Sequence, residues 1–213
     1  MNNQAVLQQI ESIRIIPVIR TGTKEAAREL VSAIVEGGIR CVEITMSVPN
    51  AVDLISELNN EFGSTLTVGA GTVLDEATAR NCSDAGAAFI VTPFLNFEVI
   101  EFCREAKVLI CAGALTPTEI FAAWRAGADV VKVFPVRSMG GADYLKALRA
   151  PFPDIKLLPT GGVTVDNAAE FLNSGAIAVG VGGAISNWEI LNVKGRTEIV
   201  NLARRFQEIA CTG

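Results

Sequence analysis

An α/β fold, a (β/α)8 barrel with one additional helix in front, is what this chain predicts. Three observations carry that reading: eight short apolar runs, amphipathic stretches between them, and a helix-ending glycine signature that recurs along the chain. The signature is Glu36-Gly37-Gly38-Ile39, Ala85-Gly86-Ala87, Ala126-Gly127-Ala128 and Ser174-Gly175-Ala176. Glycine suits the left-handed position that closes a helix before a strand. Successive copies stand about 40 to 50 residues apart, room for two βα units each.

Taken in order, Val6, Leu7, Ile10 and Ile13 fall on one face of the leading helix. The strand candidates then run Arg14 to Ile19, Cys41 to Thr45, Leu66 to Ala70, Ala88 to Val91, Leu109 to Ala112, Val130 to Phe134, Ile155 to Leu158 and Ala178 to Val181. Thr116-Pro117-Thr118-Glu119 combines an N-cap threonine, proline at the first helical position and a capping-box glutamate, and Asp75 and Thr164 read as further N-caps. Pro17 cannot donate to a ladder that has no free edge, so a local bulge is expected in the first strand.

A length of 213 residues with 50% hydrophobic content suits one domain over 1–213 with one sizeable core. Net charge is -5 and no basic run occurs, which argues against a nucleic-acid surface. The amino terminus lacks a basic start followed by an apolar stretch, and no apolar run approaches membrane-spanning length, so a soluble cytoplasmic protein without a membrane partner is expected. Five cysteines form no CxxC pair and read as free, mostly buried thiols. Histidine is absent altogether. That removes Ser-His and Cys-His nucleophile systems and the commonest transition-metal ligand, leaving acid-base work to a carboxylate, lysine, tyrosine or thiol.

Lys132 is the most informative residue, because it sits inside the apolar run Val130-Val131-Lys132-Val133-Phe134. Burial disfavours the charged ammonium and yields a nucleophilic amine suited to Schiff-base formation with carbonyl substrates. A structural lysine that snorkels or pairs with a carboxylate is the plain alternative. Glu43, in Cys41-Val42-Glu43-Ile44-Thr45, is the matching oddity. Strand periodicity puts Cys41, Glu43 and Thr45 on one face and Val130, Lys132 and Phe134 on another, so amine and carboxylate share the interior if both faces point inward. A stabilising ion pair would give the same pattern.

The last two strands end in glycine-rich turns, Pro159-Thr160-Gly161-Gly162 and Val181-Gly182-Gly183-Ala184, where barrels of this kind build phosphate sites. Gly69-Ala70-Gly71-Thr72 is not a dinucleotide fingerprint, since the third glycine and the following acidic residue are missing. Its small polar residues, with Thr92-Pro93, are expected to line the pocket mouth.

The ordered set Val42-Glu43-Ile44-Thr45, Gly69-Ala70-Gly71-Thr72-Val73, Ile90-Val91-Thr92-Pro93, Val131-Lys132-Val133-Phe134-Pro135 and Pro159-Thr160-Gly161-Gly162 resembles the class I 2-keto-3-deoxy-6-phosphogluconate (KDPG) aldolases, a family that includes 4-hydroxy-2-oxoglutarate (KHG) and phosphogalactonate variants. The resemblance runs from about Ile13 to Ala184. It implies a metal-independent, cofactor-free, homotrimeric (β/α)8 enzyme that cleaves the phosphorylated 2-keto acid to pyruvate and glyceraldehyde 3-phosphate. Carried over by position, Lys132 is the Schiff-base lysine and Glu43 the general acid/base. Thr72, Pro93, Phe134 and Thr160 shape the pocket, and Gly161, Gly162, Gly182 and Gly183 offer backbone donors to phosphate.

Two positions depart from the pattern of some members: Ser47 stands where they carry arginine, and Ala184 where they carry serine. Arg20, at the end of the first strand, is therefore expected to hold the substrate carboxylate through two parallel hydrogen bonds. Phosphate contacts fall to the backbone. Outside this reading stand another sugar-phosphate barrel, such as an epimerase or synthase, and a catalytically silent sugar-phosphate binder.

Overall fold

The computed structural model describes residues 2–212. Its strands are β1 (Ile15–Ile19), β2 (Cys41–Thr45), β3 (Thr67–Gly71), β4 (Phe89–Val91), β5 (Leu109–Ala114), β6 (Val130–Val133), β7 (Leu157–Pro159) and β8 (Val179–Val181). All neighbours pair in parallel in the order β7-β6-β5-β4-β3-β2-β1-β8. The bridge Thr160↔Gly180 joins the end of β7 to β8 and Leu157↔Ala176 joins its start to the residues before β8, so the ring is nearly closed. This is the (β/α)8 barrel with an extra leading helix that the sequence predicts.

Every strand residue is buried, as a parallel sheet covered on both faces requires. Outward-facing side chains such as Val42, Ile44 and Ile110 pack against the surrounding helices. Inward-facing ones, among them Ile16, Cys41, Phe89, Leu109, Val130 and Leu158, fill the amino-terminal half of the ring. The leading helix Asn3–Ile13 plugs that end with Val6 and Ile10, its first turn held by the Asn2 side chain accepting from the Ala5 N–H at 2.8 Å. Removing a side chain the size of Phe89 from water contributes roughly 1.5–3 kcal/mol. The amino end is thus a packed core, and the carboxyl end is left for chemistry.

Capping chemistry follows the sequence in two places and departs from it in one. Asp75 accepts from Thr78 N–H at 2.7 Å, and Thr116 and Glu119 form the full capping box. Thr164 does not cap. Its N–H donates to Asn167 Oδ1, Asn167 Nδ2 donates to Gly162 O, and the helix starts only at Ala168, because Asn167 is occupied in tying down the glycine turn. The bulge expected at Pro17 is also absent. Pairing with β8 runs unbroken through Ile15, Ile16 and Pro17, while pairing with β2 starts at Val18, one residue beyond the ring that lacks an N–H.

Candidate active site

Lys132 and Glu43 project inward from β6 and β2, which lie opposite each other in the ring. Their tips meet near the axis: Lys132 Nζ is 3.5 Å from Glu43 Oε1, with the two residues 5% and 1% exposed. The condition left open by strand periodicity, that both faces point inward, is thus fulfilled. Beneath them Cys41 and Cys111 are fully buried, and that burial, reinforced by the nearby Glu43 charge, drives both thiols well above their ordinary range. Neither thiol competes as nucleophile or proton carrier.

Above the pair opens a cleft of about 600 Å³. Lys132 forms part of its lining, and Arg20, Thr72, Pro93, Phe134 and Thr160 surround it. So do Gly161, Gly162, Gly182 and Gly183, which places both glycine turns on the rim. The cleft thus brings together all the non-glycine residues the sequence assigned to substrate binding, with Glu43 lying just below its floor. Val18 and Val163 also line it and carried no sequence signal of their own, as do Thr164, read in the sequence as a cap, and Ala184, noted there only for its missing hydroxyl.

Space for the cleft comes from glycines at inward strand positions. A Cβ on Gly113 would stand 2.5 Å from the backbone of Pro93 and Phe94, so the loop after β4 can fold over β5 beside Lys132, its register neighbour. Thr92 fixes that loop, its hydroxyl accepting from Gly113 N–H at 2.9 Å and donating to Phe94 O at 2.7 Å. Gly180 lacks the side chain that would overlap the Thr160 hydroxyl. That hydroxyl is buried and makes no hydrogen bond to the protein.

Arg20 spans three strand ends. Nη1 donates to Ser47 Oγ at 2.9 Å and Nη2 to Thr72 Oγ1 at 3.2 Å, while Ser47 also hydrogen-bonds Thr45 Oγ1 at 2.8 Å. Ser47, noticed in the sequence only as a missing arginine, is therefore the residue that orients the arginine supplied from β1. Thr72 pays for its place with φ 57°, a left-handed conformation that a β-branched residue rarely adopts and that clusters at functional sites. The Phe134 ring centroid lies 5.5 Å from Lys132 Nζ, within cation–π range. Among the described residues, no three His, Cys, Asp or Glu side chains gather as a metal site.

An amine sheltered in a ring of strands, with one carboxylate to move protons and an open cleft above, is the arrangement of Schiff-base aldolases built on barrels. The family model described as KDPG and KHG aldolase matches residues 6–202, and the chain belongs to that family. It is 36% identical over 167 residues to the 2-dehydro-3-deoxy-phosphogluconate aldolase of Treponema pallidum (strain Nichols), covering 78% of this chain and 79% of the relative. Identity is 34% over 177 residues to the 2-dehydro-3-deoxy-6-phosphogalactonate aldolase of Escherichia coli (strain K12), covering 83% and 86%. Among solved structures, KDPG aldolase from Legionella pneumophila with pyruvate captured at low pH as a covalent carbinolamine intermediate superposes with a TM-score of 0.85, at 29% identity, over 93% of this chain and 96% of that one.

Proposed function

We propose that this chain cleaves 2-keto-3-deoxy-6-phosphogluconate to pyruvate and glyceraldehyde 3-phosphate by imine catalysis. The observation that carries the reading is the 3.5 Å approach of Lys132 Nζ to Glu43 Oε1 at the floor of the cleft. Lys132, as the free amine, attacks C2 of the keto acid to give a carbinolamine, and loss of water leaves a cationic imine. Glu43, directly or through one water, takes the proton of the C4 hydroxyl. The C3–C4 electron pair then flows into the imine, releasing the aldehyde and leaving an enamine. Protonation at C3 and hydrolysis return pyruvate and the lysine.

The other roles follow from position. Arg20 holds the substrate carboxylate, with Thr72 and Ser47 aiming its guanidinium. The unpartnered Thr160 hydroxyl is free to bond the substrate, Pro93 and Phe134 wall the cleft, and Gly161, Gly162, Gly182 and Gly183 present backbone to phosphate. The absence of a hydroxyl at Ala184 favours a second substrate, 4-hydroxy-2-oxoglutarate, which needs no phosphate contact. The phosphogalactonate epimer is the alternative among phosphorylated substrates, in keeping with the Escherichia coli relative.

One domain over 1–213 carries this chemistry without metal or cofactor in our reading, and it works as a homotrimer in the cytoplasm. Large apolar side chains stay exposed on consecutive βα units, Leu74 after β3, Phe94 and Phe97 after β4, Phe121 and Trp124 after β5 and Met139 after β6. A surface of that kind supports burial against further copies. Four of the five free cysteines are buried and none is paired, which suits a reducing compartment. No helix among the described residues is long and apolar enough to cross a membrane.

Borohydride reduction in the presence of pyruvate tests the reading. A fixed mass gain on Lys132, absent in Lys132→Ala, is expected; a silent sugar-phosphate binder would gain none.

A further inference from the structure

Gly71 closes β3 on the inward face, and its φ lies outside the left-handed region, so the backbone there would accept any L-residue. What the glycine supplies is volume. A Cβ built on it would overlap Oε1 of Glu43 and stand 2.5 Å from its Cδ and Cγ, closer than the 3.0 Å that side-chain carbons keep. Nor can the strand step aside, because Gly71 pairs with Thr45 and its carbonyl accepts from Met46 N–H at 2.8 Å. The carboxylate tip of Glu43 therefore occupies the place of the missing side chain.

We propose that Gly71 is a positioning residue for the reaction: its absent Cβ lets the Glu43 carboxylate settle beside Lys132 Nζ. The proposal rests on the reading of Glu43 as the proton carrier. Gly69 supplies the control, since it lies two residues earlier on the same face of the same strand, and the three atoms nearest a Cβ built there all belong to the Phe89 ring, whereas those nearest a Cβ on Gly71 all belong to Glu43.

The experiment compares Gly71→Ala, Gly69→Ala, Glu43→Asp and the double variant Gly71→Ala/Glu43→Asp. Turnover of KDPG is measured per site that borohydride and pyruvate can trap, so unfolded protein does not count. Displacing a reacting group by about an ångström costs on the order of 100-fold. Gly71→Ala should therefore lose about that much kcat with KM little changed, whereas Gly69→Ala should lower Tm while each trappable site turns over within a few-fold of wild type, by the same measure. Aspartate is one methylene shorter and withdraws from the overlap, so adding Glu43→Asp should lower kcat in wild type but not in Gly71→Ala, a coupling that packing loss alone does not produce. The comparison of the double variant with Glu43→Asp stands even where Gly71→Ala alone fails to fold. Equal per-site turnover of Gly71→Ala and Gly69→Ala, or the same loss from Glu43→Asp in both backgrounds, overturns the proposal. Wild-type kcat in Glu43→Gln and Glu43→Asp would instead remove the proton-carrier reading beneath it.

Discussion

Lys132 Nζ and Glu43 Oε1 meet 3.5 Å apart from strands on opposite sides of the ring, so the closest approach of amine and carboxylate is made at the barrel axis. A pair this buried serves chemistry or stability, and the two uses separate experimentally. Removing one partner of a buried pair costs about 3–5 kcal/mol, because the other charge is left without compensation. Lys132→Met should therefore lower Tm and abolish the borohydride adduct. Adding Glu43→Gln should recover most of the Tm without recovering any adduct. Glu43→Gln alone should keep the adduct while kcat falls about 10²- to 10⁴-fold, the usual scale of acid-base assistance. An adduct that persists in Lys132→Met would place the nucleophile elsewhere.

The capping box predicts a pH dependence of stability. Glu119 accepts from Thr116 N–H at 2.7 Å, the Thr116 hydroxyl at 2.8 Å and Leu115 N–H at 3.1 Å, and these bonds hold its carboxyl below its ordinary value of 4.5. A folded value below the unfolded one means that the stabilisation is fully present above about pH 4.5 and is lost as pH falls through the folded value. Denaturant unfolding at pH 7 should show Glu119→Gln less stable than wild type, and the gap should narrow as the pH falls below the ordinary value and through the lower, folded one. Thr116→Ala, which removes the cap itself, should cost about 1 kcal/mol at pH 7.

Thiol reactivity tests the packing below the site. Burial raises Cys82 to about 11 and Cys103 to about 12, with the charge of Asp129 adding to the latter, and holds Cys41 and Cys111 well above the ordinary thiol range. Cys211 is exposed. A chromogenic disulfide at pH 8 should titrate one thiol in the native protein and all five after denaturation. Two or more fast thiols in the native state would mean that the barrel interior opens.

The barrel was legible because its signals are local. Eight apolar runs, helix-closing glycines and an isolated lysine and glutamate within strands each report on their own few residues, and strand periodicity grouped Glu43 with Cys41 and Thr45 and Lys132 with Val130 and Phe134, while the folded ring shows both faces turned inward. Errors fell where a side-chain hydrogen bond or the register of neighbouring strands decides the outcome. Asn167 is drawn to the Gly162 carbonyl and so displaces the expected cap at Thr164, and Pro17 is spared a bulge by the relative register of β2 and β8. In the sequence Gly71 and Gly113 fall just beyond the expected strands and Gly180 inside one, with nothing to mark what each makes room for. Only the folded ring reveals that Glu43, the Pro93 loop and Thr160 fill the vacated volume.

Arg20 and Ser47 give a prediction about carboxylate recognition. The guanidinium is tied by one hydrogen bond from Nη1 to Ser47 Oγ and one from Nη2 to Thr72 Oγ1, which leaves its remaining N–H donors for a carboxylate. Losing a hydrogen bond to a charged group costs about 1.5–3 kcal/mol, so Arg20→Ala should weaken pyruvate binding by roughly 10- to 100-fold while the lysine remains reactive toward borohydride. Ser47→Ala only frees the arginine to move and should cost less. In an Arg20→Ala background Ser47→Ala should cost nothing more, because its partner is already gone. Lysine at position 20 should restore charge but only part of the affinity, since an ammonium lacks the planar fork. Isothermal titration with pyruvate across these variants reads each step. Affinity unchanged in Arg20→Ala would move carboxylate recognition to Thr160 and the backbone of the glycine turns.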